Sequence, residues 1–371
     1  MKVLAIAGTR PEAVKLAPVV AELRRRAGST TWICDSGQHR DLVRPALSLF
    51  GLEPELRLEV MRDGQSPTGV ASAVLARLEP VLAELRPDWV VVQGDTTTAL
   101  AGALAAAYAG VKVAHVEAGL RSGDRSRPFP EELNRRAVAA LADLHLAPTP
   151  RARASLRAEG IPDDRVRVTG NTVVDAVLDV ARRPAPAGID ALAPGAGPLV
   201  LVTAHRRESF GEPLERICRA VRELAGRARL LFPVHPNPRV RETVRRRLGD
   251  VPGVTLAEPL DYLTLVHVLR RAALVMTDSG GLQEEAPSLG VRVLVLRDVT
   301  ERPEAVEAGL ARLVGTDPAR IVAAAVDALA APRIEATANP FGDGRAAVRV
   351  VRALYGEPDD PFRAGDRPGP D

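Results

Sequence analysis

The sequence predicts an α/β protein with two domains, each built on a parallel sheet. Short apolar and β-branched runs alternate with helix-length amphipathic segments along almost the whole chain, which is typical of strands joined by right-handed helical crossovers. Some runs, such as residues 89–92, are continuously apolar, as expected of strands that are buried on both faces. The 371 residues also exceed what one hydrophobic core usually holds.

In the first half of the chain, apolar runs predict strands at residues 3–7, 31–34, 89–93, 112–116, 144–147 and 166–169. Helical periodicity predicts helices at residues 11–27, 68–85 and 96–109. The intervals between the strands are long enough for helical crossovers, so we expect the strands to pair in parallel.

In the second half, strands are predicted at residues 199–203, 230–234, 272–277 and 291–296, and helices at 214–225 and 260–271. A Pro- and Gly-rich stretch at residues 184–198 separates the two sets and is the predicted hinge. The predicted domains are therefore residues 1–183 and 199–342. We expect residues 343–355 to form a closing helix that returns to the first domain, and residues 356–371 to form a disordered tail.

Composition argues against several kinds of partner. Aromatic residues are only 3% of the chain, which disfavours stacking on single-stranded nucleic acid. The net charge is only +3 and the arginines are spread along the helices, which disfavours duplex binding. Cys34 and Cys218 lie far apart in apolar surroundings and are expected to be core residues rather than a disulfide. The sequence has neither a signal peptide nor a membrane-spanning run, so we expect a cytoplasmic protein.

Residues 278–285 are the most informative segment. They follow a predicted buried strand, and Ser279, Gly280 and Gly281 predict a tight turn into a helix. The backbone N–H groups and the positive end of such a helix bind phosphate. Glu285, one turn further along, is placed to accept hydrogen bonds from both hydroxyls of a ribose. Taken alone, the segment is equally typical of an ordinary helix start.

The sequence lacks the common motifs for binding nucleotide cofactors and metals. The sequence contains neither Gly-x-Gly-x-x-Gly nor Gly-x-x-x-x-Gly-Lys-[Ser/Thr], which disfavours a dinucleotide oxidoreductase and a P-loop ATPase. It also lacks a His-x-x-x-His or paired-carboxylate spacing. We therefore expect no metal and no cofactor.

Three acidic residues lie at one predicted edge of the first sheet: Asp95, Glu117 and Glu131. A single acidic residue at the end of a strand is usually a helix cap. Three at one edge are expected to repel each other, which raises their pKa values and costs stability. Such a cluster is typical of acid–base catalysis on carbon-bound or hydroxyl protons.

Basic residues and histidines occupy corresponding positions. Arg10 begins the first helix, His205 and His235 follow the first two strands of the second domain, and Arg302 precedes a later helix. Each has an ordinary structural explanation as a surface arginine or a hydrogen-bonded histidine. Their shared position beyond the carboxyl ends of strands, where α/β sheets bind ligands, indicates a site.

Together these motifs resemble the non-hydrolysing UDP-N-acetylglucosamine 2-epimerases. The matching stretches are GTRPE (8–12), GDT (94–96), HVEAGLR (115–121), PEE (130–132), GNT (170–172), HRRE (205–208), HPNP (235–238), DSGG (278–281) and ERP (301–303). The resemblance implies the GT-B type of fold, in which two Rossmann-like domains with parallel sheets face each other across a cleft. It also implies an isomerase that interconverts UDP-N-acetylglucosamine and UDP-N-acetylmannosamine at C2 without a nicotinamide. The implied reaction eliminates UDP to give a 2-acetamidoglucal and then adds UDP back.

The resemblance further implies residue roles. Asp95, Glu117 and Glu131 are the implied acids and bases, and His205 is counted with them. The residues implied to bind the diphosphate are Arg10, Lys15, His205, Ser279, Gly280 and Gly281. Glu285 is implied to bind the ribose, and His235 and Arg302 are implied to line the cleft. A cytoplasmic homodimer that serves cell-surface polysaccharide biosynthesis is also implied.

One position departs from the family pattern. Members that are activated by their own substrate carry a Gln-rich segment where this chain has residues 40–45, and Pro45 replaces a usual Gln. Because Pro lacks both a side-chain amide and a backbone N–H, we expect no activation by UDP-N-acetylglucosamine. The sequence leaves open a related UDP-2-acetamido sugar such as a 2,3-diacetamido uronic acid, a hydrolysing variant, a GT-B glycosyltransferase and a UDP-sugar-binding sensor.

Overall fold

Two α/β units make up the chain. The computed structural model describes residues 1–39, 42–62, 64–206, 209–334 and 339–365. Unit 1 comprises Met1–Ala176 and the residues from Phe341 onward, and unit 2 comprises Val177–Pro340. Each unit contains one parallel sheet with helical crossovers, so the predicted class of two parallel-sheet α/β domains is confirmed.

The sheet of unit 1 has seven strands over the described residues, all parallel, in the order β3-β2-β1-β4-β5-β6-β7. The strands are β1 Lys2–Ala7, β2 Thr30–Asp35, β3 Leu56–Arg57, β4 Trp89–Gln93, β5 Lys112–Val116, β6 Leu144–Ala147 and β7 Val166–Val168. The helices are α1 Arg10–Arg25, α2 Val43–Leu49, α3 Pro67–Leu85, α4 Thr97–Tyr108, α5 Glu131–Leu141, α6 Pro150–Ala158 and α7 Thr172–Arg182, and the division between the units falls within α7.

The core of unit 1 is built from small and branched aliphatic side chains, as the scarcity of aromatic residues requires. Val90 and Val92 of β4 pack with Leu78 of α3, and all three are fully buried. The Ala-rich helix α4 lies so close to the sheet that a Cβ at Gly102 would come 3.0 Å from Ile6 Cδ1. Small side chains let the backbone of α4 come near the strands, so the core is densely packed without large aromatic side chains.

The sheet of unit 2 has six parallel strands over the described residues, in the order β10-β9-β8-β11-β12-β13. The strands are β8 Leu199–Thr203, β9 Arg229–Pro233, β10 Val254–Ala257, β11 Ala272–Thr277, β12 Arg292–Val295 and β13 Ala311–Leu313. The helices are α8 Glu212–Leu224, α9 Pro238–Leu248, α10 Tyr262–Arg271, α11 Gly280–Ser288, α12 Pro303–Glu307 and α13 Pro318–Ala330. The predicted hinge at residues 184–198 lies within unit 2, and its movement stays a prediction.

Both strand orders reverse direction once, between β1 and β4 in unit 1 and between β8 and β11 in unit 2. In open α/β sheets, ligands bind beyond the carboxyl ends of the strands at this switch point. The loops that follow these four strands are therefore the positions at which a ligand is expected in each unit.

The chain ends on unit 1. Helix α14, Ala346–Leu354, packs against α1, and the segment that follows it is ordered up to residue 365. Phe362 is buried, its backbone N–H donates to Val168 O at 2.8 Å, and the Arg349 guanidinium lies 5.7 Å from the centre of its ring. The prediction of a disordered tail from residue 356 is therefore wrong for residues 356–365, because one aromatic anchor outweighs the polar composition around it. Residues 366–371 lie outside the described ranges.

Two further expectations can be examined. Cys34 and Cys218 are both buried free thiols, as predicted. Over the ranges that the structure covers, no helix is long and apolar enough to cross a membrane.

Candidate functional site

The first turn of unit 1 is organised by Glu12, whose carboxylate joins the two loops of the switch point. Glu12 Oε2 accepts a hydrogen bond from the Gly8 N–H at 3.1 Å, and Oε1 accepts one from Thr96 Oγ1 at 2.6 Å. Burial raises the pKa of Glu12 to about 7, although these hydrogen bonds act in the opposite direction. The turn that carries Arg10, the first residue of α1, is thereby fixed to the loop that follows β4.

Asp95 lies in the loop after β4 and is held by helix α5. Its carboxylate forms an ion pair with Arg135, and its carbonyl oxygen accepts a hydrogen bond from Asn134 Nδ2 at 2.9 Å. Arg135 also donates to the buried Glu132 carboxylate at 3.2 Å. The charge-assisted contact with this guanidinium holds the Asp95 carboxylate close to the start of α5.

Glu117 follows β5 in a conformation that side chains other than Gly seldom adopt. Its φ is +65°, in the left-handed region, and such strain is found mainly at functional sites. Its carboxylate is paired with the ammonium of Lys15 and accepts a hydrogen bond from Asn171 Nδ2 at 2.7 Å. The side chain is only 7% exposed, so this ionic pair is largely shielded from water.

Glu131 is the first residue of α5. Its Oε2 is buried and has no hydrogen-bond partner within the described part of the chain. Leaving a buried carboxylate oxygen without a donor costs about 1–3 kcal/mol or more. A bound molecule that supplies a proton or a donor would remove that cost.

The structure brings these three acids to the same end of the sheet. Gln93 and Val116 pair across β4 and β5, and the Gly94 N–H donates to Val116 O at 3.0 Å, so Asp95 and Glu117 follow adjacent strand ends. The expectation that mutual repulsion governs the cluster is wrong, because cations from α1 and α5 neutralise two of its three members. Lys15, which the resemblance places at the diphosphate, contacts Glu117 instead.

In unit 2, helix α11 begins at Gly280, with Ser279 as its N-cap residue. The guanidinium of Arg302 lies close against this start, and a Cβ at Gly280 would come 2.7 Å from Arg302 Cζ. Arg302 Nε donates to Glu284 Oε1 at 2.5 Å, which fixes the guanidinium in place. Backbone N–H groups, the positive helix end and a guanidinium together form a surface suited to phosphate.

Glu285 is one turn into α11, as the sequence predicted. It is largely buried, and its Oε1 accepts a hydrogen bond from Tyr262 OH at 3.1 Å. The hydroxyl of Tyr262 orients the carboxylate from the side of α10. Glu285 therefore has a fixed direction beside the phosphate surface.

The loop after β8 is held by the fully buried Asp278. Its Oδ2 accepts hydrogen bonds from the backbone N–H groups of His205 and Arg206, both at 2.8 Å, and from Ser209 Oγ at 2.9 Å. Burial acts to raise the pKa of Asp278, but the interactions with His205 and Arg206 outweigh it and hold the pKa at about 2. The His205 ring stacks on the ring of His235, with their centres 5.6 Å apart.

His235 is neutral by its own contacts. Its Nδ1 accepts a hydrogen bond from the Asn237 N–H at 3.2 Å, so Nδ1 carries no proton. Burial, with a contribution from His205, lowers the pKa of His235 below its ordinary value. His235 therefore presents an Nε2–H donor, because only one nitrogen of a neutral imidazole bears hydrogen.

The site residues predicted from the sequence lie at strand ends, at helix starts or within the first two turns of a helix, but they are divided between the units. Arg10, Lys15 and the three acids belong to unit 1, and the other predicted residues belong to unit 2. Five organising residues were not assigned a role from the sequence: Glu12, Arg135, Asn171, Asp278 and Glu284. Three of them, Glu12, Asn171 and Asp278, fall inside the matching motifs, and the other two lie three positions beyond one, so their position was the available signal.

Comparisons with known proteins identify relatives of this chain over almost its whole length. The family model described as UDP-N-acetylglucosamine 2-epimerase matches residues 21–355. A Salmonella typhimurium protein named UDP-N-acetylglucosamine 2-epimerase is 46% identical over 369 residues, which is 95% of this chain and 98% of that protein.

Solved structures give the same result. The crystal structure of UDP-GlcNAc 2-epimerase from Neisseria meningitidis bound to UDP-GlcNAc superposes with a TM-score of 0.90 at 39% identity, covering 96% of this chain and 100% of that one. The Methanocaldococcus jannaschii UDP-GlcNAc 2-epimerase in complex with UDP-GlcNAc and UDP has a TM-score of 0.84 at 34% identity, with 96% and 100% covered.

Proposed function

We propose that this chain, which belongs to the UDP-N-acetylglucosamine 2-epimerase family, interconverts UDP-N-acetylglucosamine and UDP-N-acetylmannosamine. A base removes the proton from C2 while the C1–O bond breaks, and the electron pair of that bond leaves with UDP. The C1=C2 double bond of a 2-acetamidoglucal results. UDP then attacks C1 as a proton is delivered to the opposite face of C2.

The leaving group is assigned to unit 2. The diphosphate binds at Gly280, next to the backbone of Gly281 and the guanidinium of Arg302, and the ribose hydroxyls donate to Glu285. These groups are fixed before the substrate arrives, because Glu284 and Tyr262 already hold them. A preorganised cationic surface stabilises the negative charge that develops on UDP as the bond breaks.

Proton transfer is assigned to the acids of unit 1. The observation that carries this assignment is the buried Glu131 Oε2, which has no hydrogen-bond partner in the described ranges. Glu117 and Asp95 are each held in place by an ion pair, and their carboxylates stabilise the positive charge that develops at C1.

The finer features of the proposal come from the family. We propose a cytoplasmic homodimer that supplies a precursor of cell-surface polysaccharides, that uses no cofactor, and that is not activated by its substrate because of Pro45. The resemblance to the family assigns Arg10, which carries a positive charge at the start of α1, to the diphosphate. His205 and His235 complete the surface around the leaving group.

Incubation with UDP-N-acetylglucosamine in deuterated water, followed by proton NMR, tests the proposal. We expect deuterium at C2 and accumulation of UDP-N-acetylmannosamine. The variant Glu131→Gln should lose this exchange, whereas Glu79→Gln, at an exposed position on α3, should retain it. Free sugar with UDP would instead indicate hydrolysis, and an unchanged substrate would contradict the proposed function.

A further inference from the structure

We infer that Asp278 is a positioning residue that fixes the imidazole of His205 in its Nδ1–H tautomer and so leaves Nε2 to exchange a proton with the leaving diphosphate. The tautomer follows from unit 2 alone. The proton exchange rests on the proposed function.

The two oxygens of Asp278 have different surroundings. Oδ2 accepts three hydrogen bonds, from the backbone N–H groups of His205 and Arg206 and from Ser209 Oγ. Oδ1 is buried and receives no hydrogen bond of good geometry from the described residues, and His205 Nδ1 lies 3.1 Å from it. A buried carboxylate oxygen without a donor is costly, so this arrangement favours the form of His205 that carries a proton on Nδ1.

The neighbouring ring of His235 carries its proton on the other nitrogen. His235 stacks on His205 with an angle of 17° between the planes, and the Nδ1 of His235 is already occupied by the Asn237 N–H. The stacked pair therefore carries protons on opposite nitrogens, Nδ1 in His205 and Nε2 in His235. Which nitrogen of a histidine is protonated is decided by the hydrogen bond that the other nitrogen makes.

His205 and the leaving diphosphate exchange one proton during the reaction. His205 donates after its Nε2 has taken a second proton from solvent, while the Nδ1–H stays at Asp278. As the C1–O bond breaks, its electron pair goes to the diphosphate oxygen, which takes the proton from Nε2 and leaves the Nδ1–H imidazole. The Nδ1 proton remains between the ring and Asp278. When UDP adds back to C1, the proton returns to Nε2, and the buried carboxylate stabilises the imidazolium that re-forms.

The variant Asp278→Asn separates this role from a merely structural one. Three donors converge on the position of Oδ2, so the amide oxygen must occupy it. The amide NH₂ is then forced into the position of Oδ1, where it donates to His205 Nδ1. The loop keeps its hydrogen bonds, but the ring must shift its proton to Nε2.

Two measurements test the inference on the full chain labelled with ¹⁵N-histidine. Two-bond ¹H–¹⁵N correlation spectra, with the His205 signals assigned by their loss in His205→Gln, report the tautomer. We expect Nδ1–H in the native protein and in the matched control Ser209→Ala, and Nε2–H in Asp278→Asn. In the second measurement, kcat for UDP-N-acetylglucosamine should fall roughly 100-fold or more in Asp278→Asn while KM changes little.

The two measurements test the tautomer of His205 and the proposed reaction separately. An unchanged tautomer in Asp278→Asn would overturn the inference, and so would an inverted tautomer with undiminished kcat. If the native protein failed to epimerise UDP-N-acetylglucosamine at all, the proposed function would fall. In that case the spectra would still decide whether Asp278 sets the tautomer.

Discussion

Replacement of Glu12 by Gln should remove a pH dependence from the stability of unit 1. The substitution keeps the shape of the side chain and removes its charge. Its amide oxygen can accept from the Gly8 N–H, and its NH₂ can donate to Thr96 Oγ1, so both loops of the switch point stay connected. The variant therefore tests the ionisation of Glu12 and not its packing.

The magnitude follows from burial. The pKa of Glu12 rises from 4.5 to about 7, which corresponds to about 3 kcal/mol at about 1.36 kcal/mol per pH unit. Between these two values the native state retains a proton that the unfolded chain has lost. The free energy of unfolding of the native protein should therefore fall as pH rises from about 4.5 to about 7 and then level off. Asp175, whose pKa burial also raises to about 7, contributes with the same sign in both proteins and cancels in the difference.

Tryptophan fluorescence during chemical denaturation measures this effect in unit 1 specifically. The chain has two tryptophans, Trp32 in β2 and Trp89 in β4, and both belong to unit 1. The free energy of unfolding of Glu12→Gln, relative to that of the native protein, should rise by about 3 kcal/mol between about pH 4.5 and about pH 8. The surface variant Glu79→Gln should show no such gain. Parallel curves for Glu12→Gln and the native protein would refute the reasoning.

Three further changes have expected outcomes. Asp95→Asn should lower kcat by roughly 100-fold or more with little change in UDP affinity, measured by steady-state kinetics and calorimetry. Gly280→Ala should weaken UDP binding by roughly tenfold or more, because the new methyl group displaces the Arg302 guanidinium at a cost of about 1–3 kcal/mol. Phe362→Ala should destabilise unit 1 by about 3–5 kcal/mol, measured by denaturation, because its ring is almost fully buried.

Each of these three variants has a control or a result that would contradict its explanation. Loss of UDP affinity in step with kcat would show that Asp95 binds the nucleotide. Gly226→Ala is the control for Gly280, since a methyl group at this exposed turn position of unit 2 would meet nothing within 4 Å. Equal losses in the two glycine variants would contradict contact with Arg302. Unchanged stability after Phe362→Ala would mean that the C-terminal segment does not anchor on unit 1.

The sequence predicted the central strands and the edge strand Val166–Val168 well, but it missed the other three edge strands. The bounds at residues 89–93, 112–116, 144–147, 199–203 and 272–277 agree with the structure, because strands that are covered on both faces require a continuous apolar run. The edge strands Leu56–Arg57, Val254–Ala257 and Ala311–Leu313 were missed. They are short, and none is fully buried along its length, so they lack the signal by which the others were identified.

The position of the site was predictable, but its contacts were not. A parallel sheet places all the carboxyl ends of its strands at one edge, so the residues after each strand could be read directly from the sequence. The partners of those residues come from far along the chain. Lys15 is 102 positions from Glu117, and Glu12 is 84 positions from Thr96. Such pairs depend on how each helix is rotated against the sheet, which a periodic pattern does not determine.

These contacts divide the work among the three acids. Asp95 is held by the buried Arg135 and Glu117 by the buried Lys15, so either ion pair would have to break before its carboxylate could take a proton. Such groups can hold a positive charge in place, but they gain little by accepting a proton. Glu131 has no comparable partner at its buried Oε2, so it gains most from taking one. The residue that the structure leaves unsatisfied is therefore the best candidate to remove hydrogen from C2, while its two paired neighbours stabilise the sugar as UDP departs.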